Sequence, residues 1–137
     1  MPGKHILVVE TDRDDAFLIG RALNTIPSCT SYICSSLEEA QAYLSHSGAY
    51  QDATKYPPAD AIITEHRLGL HTAYDLLEWM RQQKNLLPLY ILSDAVSPQD
   101  MHTLKHLGTA AIFEKPAGTA ELKTTLADIA QKICSAN

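Results

Sequence analysis

The sequence has few cysteines and no Cys-x-x-Cys pair, which argues against a disulfide framework and against a zinc site. The three cysteines lie at positions 29, 34 and 134, and an odd number cannot pair completely. Long hydrophobic runs are also missing, so no segment is expected to span a membrane, and the first residues lack the apolar core of a signal peptide. We therefore expect a cytoplasmic protein in a reducing compartment, with no membrane partner.

Positive charge is scarce as well, since 11 Lys and Arg stand against 16 Asp and Glu, for a net charge of −5. A nucleic-acid-binding surface needs a basic patch, so we expect no nucleic-acid partner. Apolar residues make up 45% of the chain and charged residues 20%, which is typical of a folded domain rather than a disordered segment. The 137 residues suffice for one domain with its own core.

Short apolar runs alternate with helical patterns five times along the chain. Continuous apolar runs bounded by polar residues are typical of strands buried on both faces of a parallel sheet. They predict strands over 6–9, 30–34, 61–63, 89–92 and 111–113. Helix starts are indicated at Ser36-x-x-Glu39, Thr72-x-x-Asp75 and Ser97-Pro98, helix ends at Pro27 and Gly108, and a polar loop over 45–58. This alternation predicts an α/β fold with helices on both faces of the sheet.

Polar residues follow four of the five predicted strands. They are Glu10-Thr11-Asp12, Glu65-His66-Arg67, Ser93-Asp94 and Lys115-Pro116. In open parallel sheets, ligands bind at the edge formed by the carboxyl ends of the strands, so we expect these side chains to converge there. Glu10 and Glu65 supply the hard oxygen ligands that Mg²⁺ prefers. A hydroxyl at Ser93 and an ammonium at Lys115 suit a phosphoryl group.

With these residues in place, the chain resembles the receiver domain of two-component response regulators over essentially its full length. The resemblance rests on segments 6–12, 59–68, 87–94 and 113–116. Segments 47–53 and 76–81 are similar to the single-domain, chemotaxis-regulator-like subgroup that includes the cyanobacterial phytochrome response regulators. The resemblance implies one receiver domain over residues 3–134. It also implies a flavodoxin-like (βα)5 three-layer sandwich with sheet order 2-1-3-4-5, helices one and five covering one face.

The resemblance also implies a role for each residue at the strand ends. In that family an acidic pair binds Mg²⁺, an aspartate accepts a phosphoryl group from a histidine kinase, and a hydroxyl and a lysine bind that group. The matching positions here are Glu10 and Thr11, Glu65, Ser93, and Lys115. The resemblance also implies that the backbone carbonyl of Arg67 is a metal ligand. Asp12 is a candidate substitute for the carboxylate that Thr11 replaces. Ile112 stands at the position where the family usually has an aromatic residue that acts as a switch.

Two of these positions depart from the family pattern. Glu65 in place of aspartate adds one methylene, which moves the carboxylate outward by about 1.3 Å, and Thr11 removes one negative charge from the metal site. We therefore expect weak Mg²⁺ binding, no enzymatic activity, and a degenerate receiver that acts by protein–protein interaction. A phosphorylatable, Mg²⁺-dependent switch is the alternative. The Glu65 carboxylate either mimics a phosphoryl group or pairs with Lys115 and fixes an inactive form.

Other functions on the same fold are less compatible with the sequence. A flavodoxin needs a phosphate-binding loop after the first strand, and the aspartates of segment 11–15 would repel phosphate. A phosphatase would need an aspartate nucleophile where Glu65 stands. The expected partner is a histidine kinase or another signalling protein, and a homodimer is compatible with the resemblance.

The remaining charged residues near these segments are expected to have ordinary roles. His66 and His71 flank the loop after the third strand, and His102 and His106 lie four residues apart on a predicted helix. We expect solvated histidines at these positions rather than metal ligands. Asp15 is expected to stabilise the first helix by charge–dipole attraction at its amino terminus.

Overall fold

The structure, a computed structural model, describes residues 3–94 and 96–135. Its elements in chain order are β1 (Lys4–Val9), α1 (Arg13–Asn24), β2 (Cys29–Cys34), α2 (Leu37–Leu44), a 3₁₀ turn (Gly48–Tyr50), β3 (Ala61–Thr64), β4 (Arg67–Leu68), β5 (His71–Thr72), α3 (Ala73–Gln82), β6 (Leu89–Ser93), α4 (Pro98–His106), β7 (Ala111–Glu114) and α5 (Thr119–Ser135). Five strands form one parallel sheet in the order β2-β1-β3-β6-β7. The predicted order 2-1-3-4-5 is thereby confirmed.

The sheet is buried on both faces, because helices cover it on both sides. Alternate residues of β1 show the division: Ile6 and Val8 pack with α1 and α5, whereas Leu7 and Val9 pack with α2, α3 and α4. All four of these side chains are almost inaccessible to solvent. Burial on both faces explains why the strand reads as a continuous apolar run rather than as an alternating one. The predicted three-layer sandwich is therefore confirmed.

Serine side chains cap the amino termini of two helices, at the positions that the sequence pattern indicates. The hydroxyl of Ser36 accepts a hydrogen bond from the backbone N–H of Glu39 (3.1 Å), and Ser97 does the same for Asp100 (3.1 Å). These bonds satisfy N–H groups that have no partner inside the first turn of a helix. Gly108 follows α4 with a φ of 101°, a left-handed conformation that glycine adopts at low cost.

The segment after β3 is not a plain loop but a short antiparallel hairpin. β4 pairs with β5, so Arg67 lies opposite Thr72 and Leu68 lies opposite His71. Gly69 begins the two-residue turn between them with a φ of 70°. Two-residue hairpin turns require such positive φ values, which explains a glycine at this position.

The predicted polar loop over 45–58 carries two aromatic side chains that pack inward. Tyr50 and Tyr56 meet edge to face at 4.9 Å between ring centroids, and both contact the ring of buried Tyr43. The Tyr43 hydroxyl donates to the carbonyl of Pro57 (2.7 Å). The segment is therefore fixed against α2. Among the helices of the described residues, none has the length and apolarity needed to cross a membrane.

Candidate functional site

Glu10 is a buried carboxylate directly after β1. Its backbone N–H donates to the carbonyl of Cys34 (3.0 Å), which continues the pairing of β1 with β2. Its side chain is only 3% exposed. One carboxylate oxygen accepts from the backbone N–H of Asp12 (3.1 Å), and the other accepts from the ammonium of Lys115 (2.8 Å). Both oxygens of Glu10 are thus engaged by the protein itself.

Glu65 occupies the equivalent place after β3, the central strand of the sheet. Its backbone N–H donates to the carbonyl of Val9 (2.9 Å), and its side chain is 10% exposed. Its Oε1 accepts from the backbone N–H of His66 (2.8 Å), and its Oε2 lies 2.5 Å from Lys115 Nζ. The additional methylene of glutamate therefore does not point the carboxylate into solvent but brings it against the lysine.

Lys115 follows β7 and is the cation on which the acidic residues converge. Besides Glu10 and Glu65, its ammonium donates to Asp15 Oδ2 on α1 (3.0 Å). Its backbone N–H donates to the carbonyl of Ser93 (3.0 Å), which places the ends of β6 and β7 side by side. Three carboxylates thus surround one ammonium, and the local charge is negative by two units when all four groups are ionised.

The electrostatic consequences differ between the acids and the lysine. Burial raises the pKa of Glu10 above its ordinary value, although the hydrogen bond from Lys115 opposes that rise. Burial by itself would lower the pKa of Lys115, but hydrogen bonds to Glu10, Glu65 and Asp15 outweigh it and raise that pKa. Lys115 therefore remains charged throughout the physiological range and acts as the fixed counter-ion of the site.

Sequence reasoning missed the contact between Asp15 and Lys115. Asp15 was assigned to the helix dipole, and its backbone N–H does donate to Asp12 at the start of α1 (2.9 Å). Its carboxylate nevertheless reaches across to β7. No local pattern signals this contact, because it depends on how α1 is rotated against the sheet.

Five other predicted site residues lie at the periphery of this cluster or beside it. Thr11 is exposed, Asp12 caps α1, and Arg67 lies in β4 with an exposed side chain. Ser93 is buried at the end of β6. Ile112 lies opposite Ile91 in the sheet and is half-buried against the cluster that includes α4. The structure thus brings Glu10, Glu65 and Lys115 together, with Ser93 adjacent to the lysine.

As placed, the acidic residues do not form a cation site. All carboxylate oxygens of Glu10 and Glu65 already accept hydrogen bonds, and the point at which the two side chains converge is occupied by Lys115 Nζ. Asp12 is committed to its helix cap. Within residues 3–94 and 96–135, no group of three or more His, Cys, Asp or Glu residues is arranged to hold a metal ion.

The expectation of a solvated His66 is wrong. The ring is 4% exposed and meets the ring of Tyr74 edge to face at 5.6 Å. Its Nε2 lies 3.5 Å from the carboxylate of Asp100, which also accepts from the Tyr74 hydroxyl (2.9 Å). His66 is buried because the hairpin after β3 turns back and the first turn of α4 covers it. His71, by contrast, is half-buried and lies near Glu38 and Asp75.

Comparison with known proteins gives structural matches only. A scan against models of protein families finds no match, and a search of curated proteins finds none either. Among solved structures, the phosphorylated cyanobacterial phytochrome response regulator RcpA is 24% identical, with a TM-score of 0.85 over 97% of this chain and 95% of that one. The Mn²⁺-bound form of the response regulator Rcp1 is 20% identical, with a TM-score of 0.84 over 98% and 97%.

A third neighbour is the response regulator RPA3017 in red light signalling of R. palustris, 17% identical, with a TM-score of 0.82 over 94% of this chain and 91% of that one. Other high-probability neighbours include the receiver domain of HemR from Leptospira biflexa and the chemotaxis regulator CheY4 of Vibrio cholerae. Each match covers nearly the whole chain. The polypeptide described here has the fold of the receiver domains of response regulators.

Proposed function

We propose that this chain is a stand-alone receiver domain, spanning residues 3–134, which acts by binding a signalling partner without being phosphorylated. The observation that carries the proposal is the 2.5 Å contact between Glu65 Oε2 and Lys115 Nζ. In receivers the lysine at this position binds the incoming phosphoryl group. Here its ammonium is already bound by three carboxylates of the same chain.

The position of Glu65 also works against phosphoryl transfer. Such transfer depends on holding the attacking oxygen in line with the phosphorus and on neutralising charge. Misplacement by about 1 Å can reduce a rate by about 100-fold. One carboxylate oxygen of Glu65 accepts from His66 and the other from Lys115, so neither is a free nucleophile. Thr11 contributes no carboxylate that would draw Mg²⁺ into the site.

Of the two roles considered for Glu65, its contact supports the internal ion pair. A glutamate carboxylate carries one negative charge, whereas a phosphoryl group carries about −1.5 to −2. Glu65 reaches Lys115 and occupies the ammonium that would otherwise bind a phosphoryl oxygen. We propose that this pair fixes the domain in a single state, with Ile112 in place of an aromatic residue that could rotate.

The remaining assignments follow from the same proposal. Glu10, Glu65 and the backbone carbonyl of Arg67 are the candidate ligands for a weakly bound Mg²⁺, with Asp12 as a further candidate. The partner is a histidine kinase or another signalling protein in the cytoplasm, and the chain has no enzymatic activity of its own. Nucleic acid and membranes are not among the proposed partners, and a homodimer is compatible with the proposal.

A phosphorylatable switch is the second candidate. The burial of Glu10 and Ser93 beside Lys115 favours it, because all three residue types are those that bind Mg²⁺ and a phosphoryl group in receivers. In this alternative, Lys115 would leave Glu65 when the phosphodonor arrives, and a metal ion would take its place beside the carboxylates.

Nuclear magnetic resonance distinguishes the two candidates. Labelled protein is titrated with Mg²⁺ and a small acyl phosphate while the amide signals of residues 99–122 are followed, which cover α4, β7 and the start of α5. We expect no large shifts in the unmodified protein. The variant with Glu65→Asp and Thr11→Asp is the control for a working site, and it should show shifts in the same segment. Large donor-dependent shifts in the unmodified protein would favour the phospho-switch.

A further inference from the structure

Two cysteine side chains meet at the end of the sheet opposite to Lys115. Cys29 begins β2, and Cys134 lies in the last turn of α5. The hydroxyl of Ser28, the residue before Cys29, lies 3.6 Å from Cys134 Sγ, and Cys29 packs in the same apolar cluster as Ile133, the residue before Cys134. Two cysteines about 100 residues apart in the chain are therefore brought close together in the reduced protein.

Both cysteines are held in place by regular structure. Cys29 pairs in register with Lys4 of β1, and its N–H donates to the carbonyl of Ile26 (3.0 Å). Its side chain belongs to the same apolar cluster as Ala130 and Ile133, the residues by which the end of α5 packs onto the sheet. Thus the proximity of the sulfur atoms follows from core packing and not from a chance approach of loops.

The two thiols differ in their access to reagents. Cys134 is exposed, whereas Cys29 is 7% exposed. Burial raises the pKa of the Cys29 thiol, and the neighbouring Cys134 adds to the rise. An exposed thiol next to a buried one is the arrangement expected when the first reacts with an oxidant and the second resolves the product.

We propose that Cys29 and Cys134 form a reversible disulfide in response to low-molecular-weight disulfides, so that the end of α5 becomes covalently attached to the start of β2. The bond would close a loop of about 100 residues, the length at which a cross-link restricts the unfolded chain strongly. This disulfide would lie at the end of the sheet opposite to Lys115. It would therefore be a redox input separate from the acidic cluster, the carboxylates of Glu10, Asp15 and Glu65 around that lysine. In a reducing compartment such a bond is transient, as redox-sensing disulfides are.

The reaction balances as two thiol–disulfide exchanges. The thiolate of Cys134 attacks one sulfur of oxidised glutathione, which forms a mixed disulfide and releases one glutathione thiolate that takes up a proton. The Cys29 thiol then loses its proton, and its sulfur displaces the second glutathione. Two protein thiols are oxidised and one molecule of oxidised glutathione is reduced to two thiols. The proximity of the two cysteines favours the second step over release of the mixed disulfide.

Cys34 provides an internal control. It is 1% exposed at the other end of β2, and burial raises the pKa of its thiol to about 12. Its sulfur lies near the hydroxyl of Tyr50 (3.9 Å) and not near the other two thiols. Cys34 should therefore neither react with glutathione in the folded protein nor be needed for the disulfide.

The experiment measures the intact mass of the folded protein after incubation with oxidised glutathione, followed by peptide mapping without reduction. Four proteins are compared: the unmodified chain, Cys29→Ala, Cys34→Ser and Cys134→Ser. The unmodified chain and Cys34→Ser should lose two hydrogen atoms, retain no glutathione and yield a peptide linking residues 29 and 134. Cys29→Ala should retain one glutathione, because no thiol resolves the adduct, and Cys134→Ser should remain unmodified.

Several results would overturn the proposal. Retention of one glutathione by the unmodified chain, as in Cys29→Ala, would show that the two sulfur atoms cannot reach bonding distance. Absence of any reaction, a disulfide that disappears in Cys34→Ser, or a covalent dimer linked through Cys134 would each contradict it as well. Cys134→Ser alters an exposed side chain and is expected to fold, so the comparison remains decisive even if Cys29→Ala is unstable.

Discussion

Replacing Lys115 by methionine removes the only cation that contacts the acidic cluster within the described residues. The Lys115 side chain is 9% exposed, and the carboxylates of Glu10 and Glu65 are 3% and 10% exposed. The variant therefore leaves two buried carboxylates without a counter-ion, a change that typically costs about 3–5 kcal/mol of unfolding free energy. Asp15 is 39% exposed, so solvent screens its charge and its contribution should be small.

The pH dependence of this loss has a definite sign. Burial already raises the pKa of Glu10, and removal of Lys115 takes away the hydrogen bond that opposes the rise. A carboxyl group whose pKa is raised by folding stabilises the folded state below its unfolded pKa, and this stability is lost as the pH rises. The destabilisation of Lys115→Met should therefore be smaller at pH 5 than at pH 7.

The unmodified protein should lose stability in the alkaline range instead. The pKa of Lys115 is raised by folding, so its contribution is present below the ordinary lysine pKa of about 10.4 and is lost as the pH rises through the folded value.

Urea unfolding followed by the fluorescence of Trp79, the only tryptophan, measures these effects at pH 5 and pH 7. Lys123→Met, at an exposed position of α5, is the matched control and should change the unfolding free energy by less than about 0.5 kcal/mol. Glu65→Gln keeps an oxygen beside Lys115 while removing a charge, so its effect should also be small. The reasoning is refuted if Lys115→Met is as stable as Lys123→Met at pH 7, or if its loss grows on acidification.

Three further predictions concern the metal, the loop and the neighbouring helix. Calorimetric titration of the unmodified protein with Mg²⁺ should show no binding in the submillimolar range. Thr11→Asp should tighten binding, because in an effective dielectric of about 20 one charge at 4 Å contributes about 4 kcal/mol per unit of partner charge before desolvation. Submillimolar affinity without the substitution would contradict this. Tyr43→Phe removes the donor to the Pro57 carbonyl and should lower the unfolding free energy by about 1 kcal/mol in urea, whereas an unchanged midpoint would show that water replaces the bond. Asp100→Asn removes the carboxylate that contacts buried His66 and should reduce amide exchange protection at the start of α4. Unchanged protection would mean that this contact does not hold the helix.

The sheet and its order were predictable because the pattern that defines them is local. Residues 6–9 and 61–63 are continuously apolar because they are buried on both faces, and the polar residues that follow these strands must lie at one edge of a parallel sheet. That reasoning sufficed to place Glu10, Glu65 and Lys115 together. Helix starts such as Ser97 were predictable for the same reason, since their hydrogen bonds span only three residues.

The parts that sequence reasoning missed depend on contacts between distant segments. Asp15 reaches Lys115 across about 100 residues of chain, and nothing within α1 distinguishes it from Asp14 as a helix-terminal acid. His66 reads as an ordinary loop residue, and its burial follows from how α4 lies over the hairpin. Tyr50 and Tyr56 lie in a polar stretch, and their packing depends on contacts with the ring of Tyr43 on α2.

The proposed independence from phosphorylation is tested most directly by the intact mass of the protein after incubation with Mg²⁺ and a small acyl phosphate. Because Glu65 is bound to Lys115 and Thr11 supplies no metal ligand, we predict no phosphoryl adduct on the unmodified chain. Glu65→Asp should label poorly, and Glu65→Asp combined with Thr11→Asp should label better, which confirms that the donor and the scaffold are competent. Stoichiometric phosphorylation of the unmodified protein at Glu65 would contradict the account and establish the phospho-switch.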